Sequence, residues 1–114
     1  MAEDDLHVRS QRYRDVLSYE IGARIVVEFT TPTRGREIVD YAVVLTVDDE
    51  TGAVVTVRVY DGAHGVNDMH RHDRRGGKAP AETFHAGTLG EGMRAAITAV
   101  RTGYKEMIDA WRAT

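Results

Sequence analysis

The sequence predicts an α+β domain in which an antiparallel sheet of four to five strands carries a C-terminal amphipathic helix on one face. Two observations lead to this prediction. Between residues 24 and 61, apolar and polar residues alternate, as they do along half-buried strands. From residue 89 onward, apolar residues instead recur every three or four positions, which is the spacing of one face of a helix.

The alternation predicts strands at residues 24–31, 39–47 and 53–61. The last two are joined by Asp48-Asp49-Glu50-Thr51-Gly52, whose composition is typical of a hairpin turn. In the third of these strands, Val57 and Val59 are expected to face the core and Tyr60 the solvent, because successive side chains point to opposite faces. This hairpin is the clearest local feature of the chain.

The remaining segments are less regular. Residues 9–18 fit either a first strand or a short helix. Residues 66–74 fit a further strand that is polar on both faces, and such a strand would lie at an edge of the sheet or line an open groove. Residues 78–87 are expected to form a loop. Residues 1–8 are predicted to be a disordered tail, and residues 9–114 a single domain.

The C-terminal helix has a sequence signal at its start. Thr88 and Glu91 have the spacing of a capping box, in which each side chain binds the other residue's backbone amide. The apolar stripe that follows consists of Leu89, Met93, Ile97, Val100, Tyr104, Ile108 and Trp111. Glycines within the helix weaken it by about 1 kcal/mol each relative to alanine, so the stripe must be held by packing on the sheet.

Composition limits the class of protein. The chain has 114 residues, of which 42% are hydrophobic and 29% charged, so it can form a core. It has no cysteine, which excludes disulfides and thiolate metal sites. The acidic start, Met1-Ala2-Glu3-Asp4-Asp5, differs from a signal peptide, and no apolar run approaches the roughly 20 residues of a membrane span. We therefore expect a cytoplasmic protein without a membrane partner or a bound cofactor.

Residues 60–78 contain the densest group of reactive side chains. Three of the five histidines, His64, His70 and His72, lie here among aspartates. A histidine with a pKa near neutrality can act as a general base and another as a general acid, so these three are the candidate catalytic residues. Arg71, Arg74, Arg75 and Lys78 follow them and are the candidate binding residues, because cations can hold a phosphate and stabilise charge in a transition state.

These residue types suit a metal-independent ribonuclease, in which the attacking group is the RNA's own 2′-hydroxyl. A phosphate-binding patch without turnover would need the same residues. The net charge of −3 provides no global attraction for nucleic acid, so any contact with RNA requires a local basic patch. A solvated basic turn is the simpler alternative for residues 71–78.

A metal site is a further alternative. In an extended strand, His70 and His72 point to the same face with their Cα atoms about 7 Å apart. Two imidazoles on one surface can bind a divalent metal, with Asp68 or His64 as a third ligand.

The order of these motifs resembles two groups of proteins. The residues concerned are Val59-Tyr60-Asp61-Gly62-Ala63-His64, then His70-Arg71-His72, then Phe84-His85, before a C-terminal helix. The pattern is similar to that of uncharacterised small proteins of actinobacteria and their phages, and more distantly to the TumE family of toxin–antitoxin systems. Glycines stand where that family has a proline and a second histidine. The resemblance implies a toxin–antitoxin, phage or defence context.

The leading functional prediction is a small intracellular module that binds or cleaves RNA. The alternative is a non-enzymatic protein-interaction module, such as an antitoxin-like partner or a phage-encoded inhibitor, and a metal-binding domain is the third possibility. Geometry separates the first two. A cleft that gathers the three histidines beside a basic wall favours the RNA hypothesis. An exposed apolar patch or edge strand with scattered histidines favours the interaction module.

Overall fold

The structure is a computed structural model that describes residues 7–114. Within them the elements are β1 (Val8–Ser18), β2 (Ala23–Pro32), β3 (Asp40–Asp48), β4 (Val54–Asp61), β5 (Asn67–Arg71), β6 (Glu82–His85) and α1 (Leu89–Arg112). The predicted tail lies mostly outside the described residues, and its last residue, Val8, begins β1.

The strands form an antiparallel sheet in the order β1-β2-β3-β4-β5-β6, and α1 packs on one face. The predicted α+β class is confirmed, but the predicted number of four to five strands is wrong, because residues 7–114 contain six. The ambiguous segment at residues 9–18 is a strand, and the predicted loop at residues 78–87 contains the short strand β6.

The two faces of the sheet differ. The covered face packs against α1 and includes Ile25, Val27, Val43 and Leu45, all fully buried. The open face carries the alternate residues of the same strands, such as Glu28 and Val44, which face away from α1. This arrangement is common for antiparallel sheets, where one face meets the core and the other is solvated.

A β-bulge in the β3–β4 ladder overturns two predicted side-chain orientations, those of Val59 and Tyr60. The register shifts between Leu45 and Thr46, so one extra residue is accommodated in β4. As a result Val57 and Tyr60 both lie in the core, although alternation predicted that Tyr60 faces solvent. Val59 pairs with Val44 instead and lies on the open face.

The helix begins as predicted. The Glu91 amide donates to Thr88 Oγ1 (3.1 Å) and the Thr88 amide donates to Glu91 Oε1 (2.9 Å). Within the predicted stripe, Val100, Ile108 and Trp111 are buried, whereas Leu89, Met93, Ile97 and Tyr104 are half-buried at its margins. The packing of α1 on the sheet is confirmed, and its centre lies along Ala96, Val100 and Ile108.

Candidate functional site

His64 lies in the turn between β4 and β5. The turn is closed by a hydrogen bond from the Gly65 amide to the Gly62 carbonyl (3.0 Å), and Gly65 has a positive φ of 76°. Gly62 is closely packed, since a Cβ there would lie 2.9 Å from Leu89 Cδ2 and 3.1 Å from Tyr41 Cε1. The turn therefore packs on the start of α1, while the His64 side chain is exposed to solvent.

His70 lies on the open face beside two carboxylates. Its Nε2 is 3.6 Å from Asp61 Oδ2, which forms an ion pair when the imidazole is protonated. Asp68 stands directly opposite Asp61 in the β4–β5 ladder, and the Thr83 hydroxyl donates to Asp68 Oδ1 (3.4 Å). The arrangement joins an imidazole to two carboxylates, and no candidate basic residue belongs to it.

His72 follows the end of β5 and forms an isolated bridge with Lys78. Partial burial lowers the pKa of His72 from its ordinary value of 6.5, and the positive charges of Lys78 and His70 lower it further. These effects favour the neutral form of the imidazole. Neutral imidazole can accept a proton, but this one lies at the opposite end of β5 from His64.

The basic residues are divided among separate contacts. Arg71 pairs with Glu82 on the neighbouring strand. Arg74 pairs with Glu50 (3.2 Å), and its guanidinium lies 6.0 Å from the centre of the Trp111 ring. Arg75 and Lys78 are exposed in the turn after β5. These contacts do not form a basic wall beside the histidines.

Asp73 organises that turn. Its Oδ1 accepts hydrogen bonds from the Arg75 amide (2.9 Å) and the Gly77 amide (2.8 Å). Aspartate commonly stabilises turns in this way. Arg75 thus lies in a turn held by local backbone contacts, as the simpler alternative of a solvated basic turn requires.

A cavity of about 520 Å³ lies on the open face next to Asp61. Its charged lining consists of Arg12, Glu28, Asp40 and Asp61. Arg12 is itself paired with Glu28, with 2.9 Å between Nε and Oε1. The surplus of carboxylates makes this cavity unfavourable for a phosphate group.

The three candidate catalytic histidines are distributed along one strand and its flanking turns. Asn67 and Arg71, the ends of β5, are about 13 Å apart at the usual rise per residue, and His64 and His72 lie beyond either end. Within residues 7–114 no three histidine, aspartate or glutamate side chains are placed to hold a metal ion. The metal alternative with His70, His72 and Asp68 therefore gains no geometric support.

Sequence reasoning missed the buried residue that organises this region. Asn67 is 1% exposed, and its Oδ1 accepts a hydrogen bond from the Tyr41 hydroxyl (2.8 Å). Its Nδ2 donates to carbonyls that lead into α1, those of His85, Gly87 and Thr88. Burial raises the pKa of Tyr41, and the charges of Asp61 and Asp68 raise it further. A single asparagine in a polar strand gives no periodic signal, so the sequence did not indicate it.

The backbone of β1 is open along one side. The Thr33 amide donates to the His7 carbonyl (3.1 Å), and the pairing of Val8 with Pro32 continues the same register. Because such bonds alternate, the odd-numbered residues of β1 bond to β2 and the even-numbered ones direct their N–H and C=O groups away from the sheet. The outward groups belong to Val8, Ser10, Arg12, Arg14 and Val16.

The side chains of β1 are also accessible. Val8 is 53% exposed, and Tyr13 and Val16 are each 40% exposed. Residues 8–16 are exposed on both faces of the sheet, since α1 covers the strands from β2 to β6. An edge strand of 11 residues with exposed apolar side chains is a template for pairing with another chain.

No protein-family model matches the chain, and no curated protein or solved structure matches it significantly. Across residues 7–114, no helix is long and apolar enough to cross a membrane.

Proposed function

We propose that the protein is a non-enzymatic protein-interaction module. A strand of the partner pairs with β1 and extends the sheet. One observation carries this proposal. β1 is an edge strand of 11 residues whose outward backbone groups and side chains are both accessible. Strand addition uses such an edge, with backbone hydrogen bonds supplying affinity and alternate side chains supplying specificity.

The charges on β1 make this edge selective. Arg9, Arg12 and Arg14 are exposed, and charged residues on an edge discourage indiscriminate pairing. A partner strand must offset the charge of these residues. The edge is therefore suited to a specific partner more than to general aggregation.

RNA binding or cleavage is the second candidate, and one observation favours it. His70 Nε2 lies 3.6 Å from Asp61 Oδ2, and a carboxylate that orients an imidazole is a frequent part of general acid–base sites. Against it stand the separation of His64 from His72 and the carboxylates around His70. The interaction module therefore has the better support.

The test compares partner capture by three proteins: wild type, Ser10→Ala and Ser10→Pro. Proline at position 10 removes an outward N–H that β2 does not use, whereas alanine keeps it. Each tagged protein is incubated with nuclease-treated host lysate, and captured proteins are quantified by mass spectrometry. We expect the same partner with wild type and Ser10→Ala, and its loss with Ser10→Pro. Capture that survives Ser10→Pro would contradict strand addition at β1.

The RNA hypothesis has its own test. Wild type and His70→Ala are incubated with a panel of RNAs at low salt in the presence of chelator. A ribonuclease would cut with a bell-shaped pH profile near neutrality, and His70→Ala would abolish the cutting without unfolding the protein. If wild type neither binds nor cuts any RNA, the second candidate is eliminated.

A further inference from the structure

We propose that the strand added to β1 is β1 of a second copy of this chain, paired antiparallel about a two-fold axis that passes beside Arg12. The inference rests on the proposed function, because it names the partner for the same edge. It follows from the order of charges and apolar residues along β1, which is complementary to itself in one register.

In that register the residue numbers of each opposing pair sum to 24. Arg9 then lies opposite Asp15 of the second copy, and Asp15 opposite its Arg9, so two opposite-charge pairs form. Val8 lies opposite Val16 of the second copy, and these two exposed valines cover each other on the open face. Within residues 7–114 Arg9 has no ion-pair partner, so its charge is available.

Neighbouring registers lack this match. A shift that moves the axis to Tyr13 places Arg12 opposite Arg14 twice, which is unfavourable because like charges stand directly opposite. A shift that moves the axis to Gln11 places Arg9 opposite Tyr13 and Ser10 opposite Arg12, so neither copy's Asp15 meets an arginine. Shifts by one residue place an even-numbered residue opposite an odd-numbered one, whose N–H and C=O groups already bond to β2, so the ladder cannot form.

The backbone supports the same register. The outward groups belong to the even-numbered residues. In this register Val8 lies opposite Val16 of the second copy and Ser10 opposite its Arg14, and the two-fold axis repeats both pairs. With the pair of Arg12 residues at the axis, each pair exchanges two hydrogen bonds, so the interface has about ten. No residue of the edge has to change its orientation.

Two contacts within each copy fit this arrangement. Arg12 meets Arg12 at the axis, but each is already paired with Glu28 of its own sheet, which offsets the repulsion. Asp15 is paired with Arg101 of α1 on one oxygen, and the carboxylate remains half-exposed, which leaves its other oxygen for Arg9 of the second copy.

The two-fold axis is perpendicular to the sheet. The dimer therefore has one continuous sheet of twice six strands, with both helices on the same face.

A single strand pair buries little surface, so the dimer belongs to the weak class of interfaces and needs protein concentrations of about 0.01–1 mM to be populated. Its test is a charge exchange measured by sedimentation equilibrium. Arg9→Asp places two carboxylates opposite each other at both charged contacts, and Asp15→Arg places two guanidinium groups there. We expect wild type to dimerise, and each variant alone to remain monomeric with at least a tenfold weaker association.

The decisive sample is the equimolar mixture of the two variants. In the mixed dimer both contacts are complementary again, because one joins the introduced aspartate to the introduced arginine and the other joins the native Asp15 to the native Arg9. We expect the mixture to form a heterodimer with an affinity within about tenfold of wild type, a free-energy difference below about 1.4 kcal/mol. Circular dichroism of each variant alone shows whether it is folded, and Ser10→Pro serves as the backbone control.

Each outcome decides a separate point. Wild type that stays monomeric throughout the concentration range overturns the self-pairing, while partner capture lost in Ser10→Pro would still support strand addition. A dimer that Ser10→Pro disrupts but the charge variants do not would overturn the register. A dimer that neither Ser10→Pro nor the charge variants weaken would form through another surface and would overturn the self-pairing at β1.

Discussion

The two edge strands of the sheet, β6 and β1, differ in length and in how far the rest of the protein covers them. β6 has four residues, its ladder with β5 is interrupted by a bulge, and Phe84 packs on Tyr60 with ring centres 4.8 Å apart. Within three residues β6 leads into the capping box of α1. β1 has 11 residues, and α1 reaches only its last part, where Arg101 pairs with Asp15 and the Tyr104 hydroxyl donates to the Leu17 carbonyl. Short, covered edges resist pairing with other chains, and β1 has neither protection.

The comparison extends to the strands themselves. β3 is central and most of its residues are buried, so its side chains determine stability. β1 contributes few buried groups, yet a ladder of ten residue pairs holds it to β2. A strand that is ordered but adds little to the core is suited to binding. Substitutions in β1 should therefore change association more than folding.

The largest expected difference in stability is between Val43→Ala and Val16→Ala. The chemical change is the same, but Val43 is fully buried in β3 and Val16 is 40% exposed in β1. Val43→Ala should lower the free energy of unfolding by about 2–3 kcal/mol, since it removes buried methyl groups and leaves a cavity. Val16→Ala should change it by less than about 0.5 kcal/mol. Urea denaturation checks both, and equal losses would contradict the distinction between the two strands.

Two glycines of α1 test how the helix packs on the covered face of the sheet. A Cβ at Gly92 would lie 1.9 Å from Asn67 Oδ1, whereas a Cβ at Gly103 would meet only Met107 Cε at 3.5 Å. Gly92→Ala should destabilise by about 1–3 kcal/mol, because it forces the Asn67 network apart. Gly103→Ala should stabilise by up to about 1 kcal/mol through helix propensity. Thermal denaturation of the two variants gives the sign of each change in stability. Stabilisation by Gly92→Ala would show that Asn67 does not contact the helix.

Adjacent prolines test which side of β1 is open. Gln11→Pro removes an N–H that bonds to β2 and should cost about 1 kcal/mol, the net contribution of a typical hydrogen bond. Ser10→Pro removes an outward N–H and should cost less. Measuring both by urea denaturation at low protein concentration excludes any effect of association. If Ser10→Pro were the more destabilising of the two, the assignment of inward and outward residues would be reversed.

The smallest expected effect concerns pH. The pKa of His72 is lowered in the folded protein from 6.5, so the unfolded chain takes up this proton at a higher pH. The contribution of His72 to the free energy of unfolding is therefore complete above pH 6.5, and it is lost as the pH falls towards the pKa of the folded state. His72→Asn should make the free energy of unfolding less dependent on pH below this value. An unchanged pH dependence in the variant would contradict the lowered pKa.

Sequence patterns predicted the parts of the fold in which local and tertiary requirements coincide. The β3–β4 hairpin and the capping box at Thr88 and Glu91 were correct because each has a strong local signal. β1 was ambiguous because both of its faces are exposed, which removes the alternation that marks a strand. β6 was missed because four residues are too few for a pattern. Tyr60 was placed on the wrong face because a bulge has no simple sequence signal.

The candidate site was less predictable than the fold. Proximity of His64, His70 and His72 in the chain suggested a cluster, but an extended strand separates its residues by about 3.3 Å at each step. Charge also misled the prediction. Two of the basic residues after His70, Arg71 and Arg74, pair with Glu82 and Glu50, which are distant in sequence. Pairing across strands is a tertiary property, and local composition does not report it.

Hydrogen exchange of the β1 amides, followed by NMR, tests the central claim most directly. In dilute protein, the amides of Ser10, Arg12 and Arg14 should exchange rapidly, while those of Gln11 and Tyr13 should be protected by β2. When the protein concentration is raised from about 10 µM to about 1 mM, the first set should become protected and the second should change little. Protection of Ser10, Arg12 and Arg14 already at high dilution, or protection that appears only on another surface, would contradict the conclusion that β1 is an open edge for strand pairing.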